Sequence, residues 1–212
     1  MLQLQCFNLK RSVDRYFLLL CVNSCLYLSV HWPKHIDFDK PENEGLQGAR
    51  NFYINTDLKV EVGVWHILPH DLINEGQNKS QNWFDKSLSN GQTIILYLHG
   101  NTGSRAREHR IELYKVLQKL NYHIICFDYR GYADSSPMTP SKTGVVDDAL
   151  RVYEHTKKLA KDVPIIVYGH SLGKSLGMIL VLYDVIISAF GHAGTLSRWR
   201  CLSICHEFLK CI

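Results

Sequence analysis

From residue 51 onward, the hydrophobic and polar positions of the chain alternate between strand and helix patterns. The segments 51–54 (NFYI) and 60–68 (VEVGVWHIL) predict an opening antiparallel strand pair, the second with apolar and polar positions in turn. Continuous apolar runs follow at 93–98, 123–129 and 164–168, and such runs are typical of strands buried on both faces of a parallel sheet. The pattern therefore predicts a hairpin followed by three buried strands.

The segments between the buried strands have apolar residues at helical spacing. The first stripe consists of Leu113, Val116, Leu117 and Leu120. The second segment, 145–161, has Val146, Leu150, Tyr153 and Leu159 on or near one stripe. A helix-compatible segment, 172–182, follows the last buried strand. Strands alternating with helices of this length predict an α/β fold, with a mainly parallel sheet and helices on both of its faces.

Two segments do not follow this alternation. Residues 71–90 are polar and rich in Asn, Gln and Ser, which predicts a surface excursion between the hairpin and the first buried strand. Residues 185–190 (VIISAF) form a short apolar run that is compatible with one more strand.

The composition fits one globular domain with an N-terminal extension. The chain has 212 residues, of which 46% are hydrophobic and 21% charged, and this length can bury a sizeable core. Its formal charge of +4 comes from scattered Lys and Arg residues without a basic block, so nucleic acid is not expected as a partner.

Seven cysteines have no regular spacing and indicate no disulfide framework. Cys126 lies within an apolar run, where a thiol usually packs as a small hydrophobic side chain. Four residues near the end of the chain are of metal-ligand type: Cys201, Cys205, His206 and Cys211. No second Cys pair at zinc-finger spacing accompanies them, so we expect no metal site.

An apolar run at 16–30 (YFLLLCVNSCLYLSV) follows the basic residues Lys10, Arg11 and Arg15. It is short for a membrane-spanning helix, and the alternatives are a signal-like segment, a helix in the membrane interface, or a helix packed on the domain. If it spans, the basic flank places the N-terminus in the cytoplasm and the rest of the chain across the membrane. The glycosylation sequon at Asn78 would then lie on the correct side.

Residues 169–173 (GHSLG) match the pattern Gly-x-Ser-x-Gly directly after an apolar strand. In such a turn the serine takes a strained backbone conformation, and side chains at Gly169 or Gly173 would collide with neighbouring backbone. Ser171 would lie at the carboxyl end of a strand and the amino end of a helix, where free N–H groups and the helix dipole favour a developing oxyanion. The motif therefore predicts Ser171 as a catalytic nucleophile.

A second loop, 98–103 (LHGNTG), follows another buried strand. Hydrolases with a nucleophilic serine turn commonly place an oxyanion N–H in a His-Gly loop at this position. We expect the loop, which contains Gly100, to contribute the N–H of Asn101, and the N–H of Leu172 to be its partner. His99 is interpreted as a ring that braces the loop.

Three further side chains near these motifs are interpreted as structural. His170, beside the serine, is expected to orient or pack. Asp128 and Arg130, in the stretch DYRGYADS after a buried strand, are expected to stabilise a loop beside the cleft rather than to take part in chemistry.

Together these motifs resemble the α/β-hydrolase superfamily. More narrowly, 36–173 is similar to its membrane-associated lysophosphatidylserine and monoacylglycerol lipases, the α/β-hydrolase domain-containing 12 group, in stretches such as DFDKPENEGL, IILYLHGNTGSR, YHIICFDYRGYADS and YGHSLG. The resemblance implies a lipid ester hydrolase at the endoplasmic-reticulum membrane, with a lumenal catalytic domain and no metal or organic cofactor. One local departure is Ala133, where members usually carry Gly.

The resemblance stops soon after Gly173, and the family's catalytic Asp and His follow the serine at later positions. We therefore expect a C-terminally truncated hydrolase divided into a membrane-associated segment 1–35, a hydrolase part 36–178 and a divergent tail 179–212. The chain order of a triad is formally met by Ser171, Asp184 and His192 or His206. Geometry argues against these partners, because Asp184 is expected on the helix that follows Ser171.

This expectation has two consequences. The serine-bearing strand should lie at or near an open edge of the sheet. The function is either that of a lipid ester hydrolase or that of an inactive hydrolase fragment that binds a partner or a membrane.

Overall fold

The computed structural model describes residues 36–57 and 59–190, which form a five-stranded sheet in the order β1-β2-β4-β3-β5. The strands are β1 (Ala49–Asp57), β2 (Val60–Ile67), β3 (Ile94–Leu98), β4 (His123–Phe127) and β5 (Ile165–Gly169). β2 runs antiparallel to both of its neighbours, β1 and β4, whereas β4, β3 and β5 are parallel. The predicted opening hairpin and mainly parallel sheet are confirmed.

Helices cover both faces of this sheet. They are α1 (Gln81–Ser87), α2 (Glu108–Lys119), α3 (Lys142–Ala160) and α4 (Leu172–Phe190), with 3₁₀ turns at Pro41–Glu44 and His70–Leu72. α2 packs on one face through Ile111 and Tyr114, while Leu150 of α3 and Leu176 of α4 belong to the core on the other face. The β3 and β4 strands are buried along their whole length between these layers, as their continuous apolar sequence predicts.

The sequence predicted the position of α2 and part of its buried face, since Leu113 and Leu117 of the expected stripe are partly buried against the core. Val116 and Leu120, expected on the apolar stripe, are exposed, whereas Ile111 and Tyr114 are fully or nearly fully buried. The centre of the buried face lies at Tyr114, whose large ring packs beside that of Tyr97 with the two ring centroids 5.3 Å apart.

Other elements also differ from expectation. The excursion at 71–90 contains α1, whose Phe84 is buried and whose amino end is capped by Ser80. Buried and exposed residues do not alternate along β2 as predicted, since Glu61 is its single exposed position. Residues 185–190 are not a strand, because they continue α4. The expected boundary between 178 and 179 therefore falls inside this helix.

β5 is the last strand of the described sheet, in agreement with the predicted open edge. Ile166 and Tyr168, on one of its faces, are 48% and 45% exposed. Among residues 36–57 and 59–190, no helix is both long and apolar enough to cross a membrane. The apolar run at 16–30 lies outside these residues.

A buried histidine pair links β2 to β4. Nε2 of His66 lies 3.0 Å from Nδ1 of His123, and Nε2 of His123 lies 3.3 Å from Oδ1 of Asn90. Burial lowers the pKa of His123 to about 4. Burial, and then the charges of His123 and Arg50, lower the pKa of His66 well below 6.5. Both imidazoles are therefore neutral in the folded protein near pH 7.

We expect this pair to make stability fall in mild acid. The unfolded chain takes up these protons near pH 6.5, so their stabilising contribution is complete above that pH and is lost as the pH falls towards about 4. For His123 alone the loss in the free energy of unfolding is about 3 kcal/mol. Urea unfolding at several pH values between 7 and 4 would show a smaller loss for His123→Gln than for the unmodified chain. His70→Gln provides the control substitution, because the side chain of His70 is exposed and lies apart from the buried pair. Equal pH dependence in all three proteins would contradict this expectation.

Candidate active site

Ser171 lies in the turn between the end of β5 and the start of α4 and is exposed to solvent. Its φ angle is +53°, in the left-handed region that non-glycine residues seldom occupy. The first backbone hydrogen bonds of the turn run from Gly173 N to His170 O and from Lys174 N to Ser171 O, each 2.9 Å long. The chain therefore reverses sharply at Ser171 and leaves its side chain at the carboxyl edge of the sheet.

The two glycines of the motif allow this turn to approach its surroundings. A Cβ on Gly169 would lie 2.7 Å from the backbone N of Lys174 and closer still to the carbonyl of Gly173. A Cβ on Gly173 would lie 2.7 Å from the carbonyl carbon of Leu98 and would overlap its oxygen. Both contacts are shorter than a real Cβ makes, so the turn requires glycine at both positions.

The loop after β3 lies directly against Ser171. His170 N donates a 3.0 Å hydrogen bond to Leu98 O, and a Cβ on Gly100 would lie 3.3 Å from Cβ of Ser171. Within the described part of the chain, the backbone N–H groups of Asn101 and Leu172 donate no hydrogen bond, which leaves both available to an oxyanion.

Asn101 is buried and held by Tyr132, whose hydroxyl lies 2.9 Å from its carbonyl oxygen and 2.8 Å from its Oδ1. Its Nδ2 has no hydrogen-bond partner among the described residues. Tyr132 thus orients the residue whose N–H the sequence assigned to the oxyanion site.

A buried charge network supports the same loop. Arg105 Nη1 contacts Asp128 Oδ2 at 2.7 Å and Asp134 Oδ1 at 2.6 Å, and the backbone N of Arg105 donates to Asp128 Oδ1 at 2.8 Å. His99 Nε2 lies 3.1 Å from Asp128 Oδ1. Burial acts to raise the pKa of Asp128, but His99 and Arg105 outweigh it and hold the pKa below 3.8. Asp128 therefore stays charged and connects the loop to Arg105.

A family model for the alpha/beta hydrolase fold matches residues 93–184, from β3 through most of α4. The chain belongs to the α/β-hydrolase superfamily. A solved structure of the Pyrococcus furiosus esterase Pf2001 is similar with a TM-score of 0.53 and 21% identity, over 87% of this chain and 67% of that one. At this identity, the likeness concerns the fold.

Curated proteins of the superfamily are more similar in sequence. The mouse lysophosphatidylserine lipase ABHD12 is 44% identical over 152 residues, which are 72% of this chain and 38% of that protein. The human protein ABHD12B is 34% identical over 164 residues, 77% of this chain and 45% of its own length. The chain thus spans less than half the length of the curated relatives it matches.

In an α/β-hydrolase the acid and the base of the triad follow the serine in chain order. Asp184 does not meet Ser171, because it lies further along α4, roughly 18 Å by the rise of a helix, and pairs with Lys157 of α3. His192 and His206 lie outside the described residues. Ser171 Oγ forms no hydrogen bond with any described residue.

Three residues that support this α/β-hydrolase site were absent from the sequence interpretation. They are Arg105, Tyr132 and Asp148, the last of which binds Arg130 through Oδ1 at 2.7 Å and accepts from the backbone N of Arg130 at 2.9 Å. Arg130 is therefore structural, as the sequence indicated, but its partner lies on α3. The charged residues clustered after β3 and β4 were the available signal, since charges next to buried strands must find partners.

Proposed function

We propose that this chain is a serine hydrolase that cleaves lipid esters, monoacylglycerols or lysophospholipids, through an acyl-enzyme on Ser171. The observation that carries the proposal is the left-handed Ser171 between β5 and α4, in contact with the loop of Gly100. The lipase name of the mouse relative and its similarity over 152 residues support the lipid substrate class.

In the proposed reaction, Ser171 Oγ attacks the ester carbonyl carbon and the carbonyl oxygen becomes an oxyanion. The backbone N–H groups of Leu172 and Asn101 bind that oxyanion. The Oγ proton passes through a base to the departing alcohol oxygen, which leaves an acyl ester on Ser171. Water then attacks the carbonyl carbon of the acyl ester, and the bond to Ser171 Oγ breaks. This step releases the fatty acid and restores the serine hydroxyl.

The proposed location is the endoplasmic-reticulum membrane, with the hydrolase part in the lumen. The basic residues before the apolar run at 16–30 support this orientation. Asn78 is exposed, as a lumenal glycosylation site requires.

A second candidate function is that of a non-catalytic protein that binds lipid or a partner. One observation favours it: none of the described histidines or carboxylates is hydrogen-bonded to Ser171. His99 is fully buried with Nδ1 2.5 Å from Gly100 O, and burial lowers its pKa below 6.5. The two functions make opposite predictions for the reactivity of Ser171.

We expect an alkyl fluorophosphonate to label the folded chain and Ser171→Ala to abolish that labelling, because the probe reacts with an activated serine. Labelling is read by gel fluorescence and the modified residue by peptide mass spectrometry. Ser175→Ala, one turn further along α4, is the matched control and should be labelled like the unmodified chain. A folded chain that stays unlabelled, or labelling that survives Ser171→Ala, would favour the binding function.

A further inference from the structure

The edge of the sheet at β5 presents backbone groups that could pair with a further strand. β3 pairs with one side of β5, and within residues 36–57 and 59–190 no strand pairs with its other side. Pro164 O accepts a hydrogen bond from β3 and His170 N donates one to it. By the alternation of a strand, the N–H and C=O groups of Ile165, Val167 and Gly169 therefore point away from β3, towards the open edge.

β5 has none of the features that usually protect an edge strand. Its sequence, IIVYG, contains no charged residue and no proline, and its register with β3 has no bulge. The side chains of Ile166 and Tyr168 are about half exposed on the face that α2 covers elsewhere, and Tyr168 stacks on Tyr97 of β3 with the ring centroids 5.8 Å apart. An uncharged, apolar edge of this kind favours pairing with another strand.

α4 adds a second apolar surface beside this edge, on the other face of the sheet. Met178 and Val181 are 57% and 55% exposed. At about 100° per residue, they lie roughly opposite Tyr183, whose hydroxyl donates a hydrogen bond to Glu154 of α3. The exposed apolar side of α4 therefore faces away from α3, towards the open edge.

A second copy of this chain fits the strand edge. If two β5 strands pair antiparallel about a two-fold axis at Val167, then Val167 pairs with its own mate and Ile165 pairs with Gly169 of the other copy. Each of these pairs exchanges both backbone hydrogen bonds, so every outward group of β5 is used. Ile166 then lies directly opposite Tyr168 of the other copy, in the type of pair whose side chains approach most closely.

The same axis brings the two α4 helices into contact. α4 packs against both β5 and β3, so its axis lies over the space between them. With strands about 4.8 Å apart, the two α4 axes would be about 10 Å apart, as in packed helices. The twist of the sheet over two strand spacings would cross them at about 40–50°, close to the commonest packing angle. A Cβ on Gly177 would meet Val167 Cγ1 at 3.4 Å, so the adjacent Met178 lies near the axis.

The charged residue on this side of α4 does not oppose the arrangement. Lys174 is exposed and lies four residues from Met178. By the rise of a helix, the two copies of Lys174 in an antiparallel pair would be about 12 Å apart. Salt screens charges beyond about 8 Å at physiological ionic strength, so their repulsion is weak.

We propose that this chain forms a homodimer through β5 and α4, in which the two sheets join edge to edge into one continuous sheet. A second copy supplies, in one partner, both the matching strand edge and an apolar helix at the matching distance from it. The inference goes beyond the proposed function and does not depend on it. Because the pairing is antiparallel, the two Ser171 residues lie at opposite edges of the joined sheet and both stay exposed.

The test is sedimentation equilibrium of the full chain in a density-matched nonionic detergent, over a range of protein concentrations. We expect a monomer–dimer equilibrium whose dissociation constant rises at least about tenfold in Ile166→Lys and in Met178→Lys, because the two-fold axis brings each new charge in twice. Both positions are exposed, so both variants should fold. Leu120→Lys is the matched control: it is 62% exposed at the end of α2, outside the interface, and should leave the constant unchanged.

Amide hydrogen exchange of the peptide that contains Val167 gives a second measurement, since its protection should rise with protein concentration. Protection that is complete in the monomer would mean that the chain covers its own edge, and it would overturn the homodimer. A monomer at every concentration, or a dimer that Leu120→Lys weakens as much as the other variants do, would also overturn it. If the lysine variants reduce sedimentation with phosphatidylcholine vesicles while the chain stays monomeric, the surface binds lipid and the homodimer is wrong.

Discussion

Gly173→Ala is expected to lower the free energy of unfolding by about 3 kcal/mol and to reduce fluorophosphonate labelling to background. The added Cβ would lie 2.7 Å from the carbonyl carbon of Leu98 and nearer still to its oxygen. These are backbone atoms of a central strand, so they cannot rotate away as a side chain would. Relief of the overlap requires α4 to move from β3, and the turn at Ser171 would move with it. Urea unfolding followed by tryptophan fluorescence measures the first effect.

Gly177→Ala is the matched control on the same helix. A Cβ there would meet Val167 Cγ1 at 3.4 Å and Leu98 Cδ1 at 3.9 Å, which are ordinary contacts. Alanine also favours a helix over glycine by up to about 1 kcal/mol, so this variant should be as stable as the unmodified chain or more stable. Equal unfolding midpoints for the two variants would show that the close approach of α4 to β3 is not as described.

Arg105→Gln is expected to lower the free energy of unfolding by about 4 kcal/mol, because it removes the cation from a buried network and leaves Asp128 charged and fully buried. The guanidinium also lies 4.4 Å from the ring centroid of Phe38 and 5.0 Å from that of Trp65, and both contacts would be lost. Chemical denaturation near pH 7 gives the magnitude.

The exposed pair of Lys115 and Glu112 provides a comparison of the same charge type. Lys115→Gln should change the free energy of unfolding by less than about 0.5 kcal/mol, since water screens both groups. If the free energy of unfolding of Arg105→Gln lies within about 1 kcal/mol of that of the unmodified chain, the buried network does not stabilise the fold as described.

The sequence predicted those parts of the fold in which the hydrophobic pattern of a segment is compatible with only one kind of secondary structure. The apolar runs of β3 and β4 are too short for a buried helix layer and lie between helix-like segments, so a buried parallel strand was the available interpretation. The turn at Ser171 was predictable because a strand, two glycines and a helix occur together around one serine. Each of these signals is local in the chain.

The parts that the sequence did not predict depend on contacts between distant segments. The full burial of Tyr114 on α2 depends on its contact with Tyr97, and hydrophobic periodicity along the chain does not contain that contact. Arg105 and Arg110 were not recognised because charged residues are usually exposed, and their burial depends on Asp128 and on loop carbonyls. The continuation of α4 through 185–190 was missed since a short apolar run fits strand and helix equally.

The left-handed backbone at Ser171 also means that the residue needed for the proposed reactivity makes the fold less stable than a glycine there would. A non-glycine residue in this conformation costs about 1 kcal/mol, and a glycine would remove that cost together with the hydroxyl. A chain optimised for thermal resistance alone would therefore discard the group on which its proposed chemistry depends.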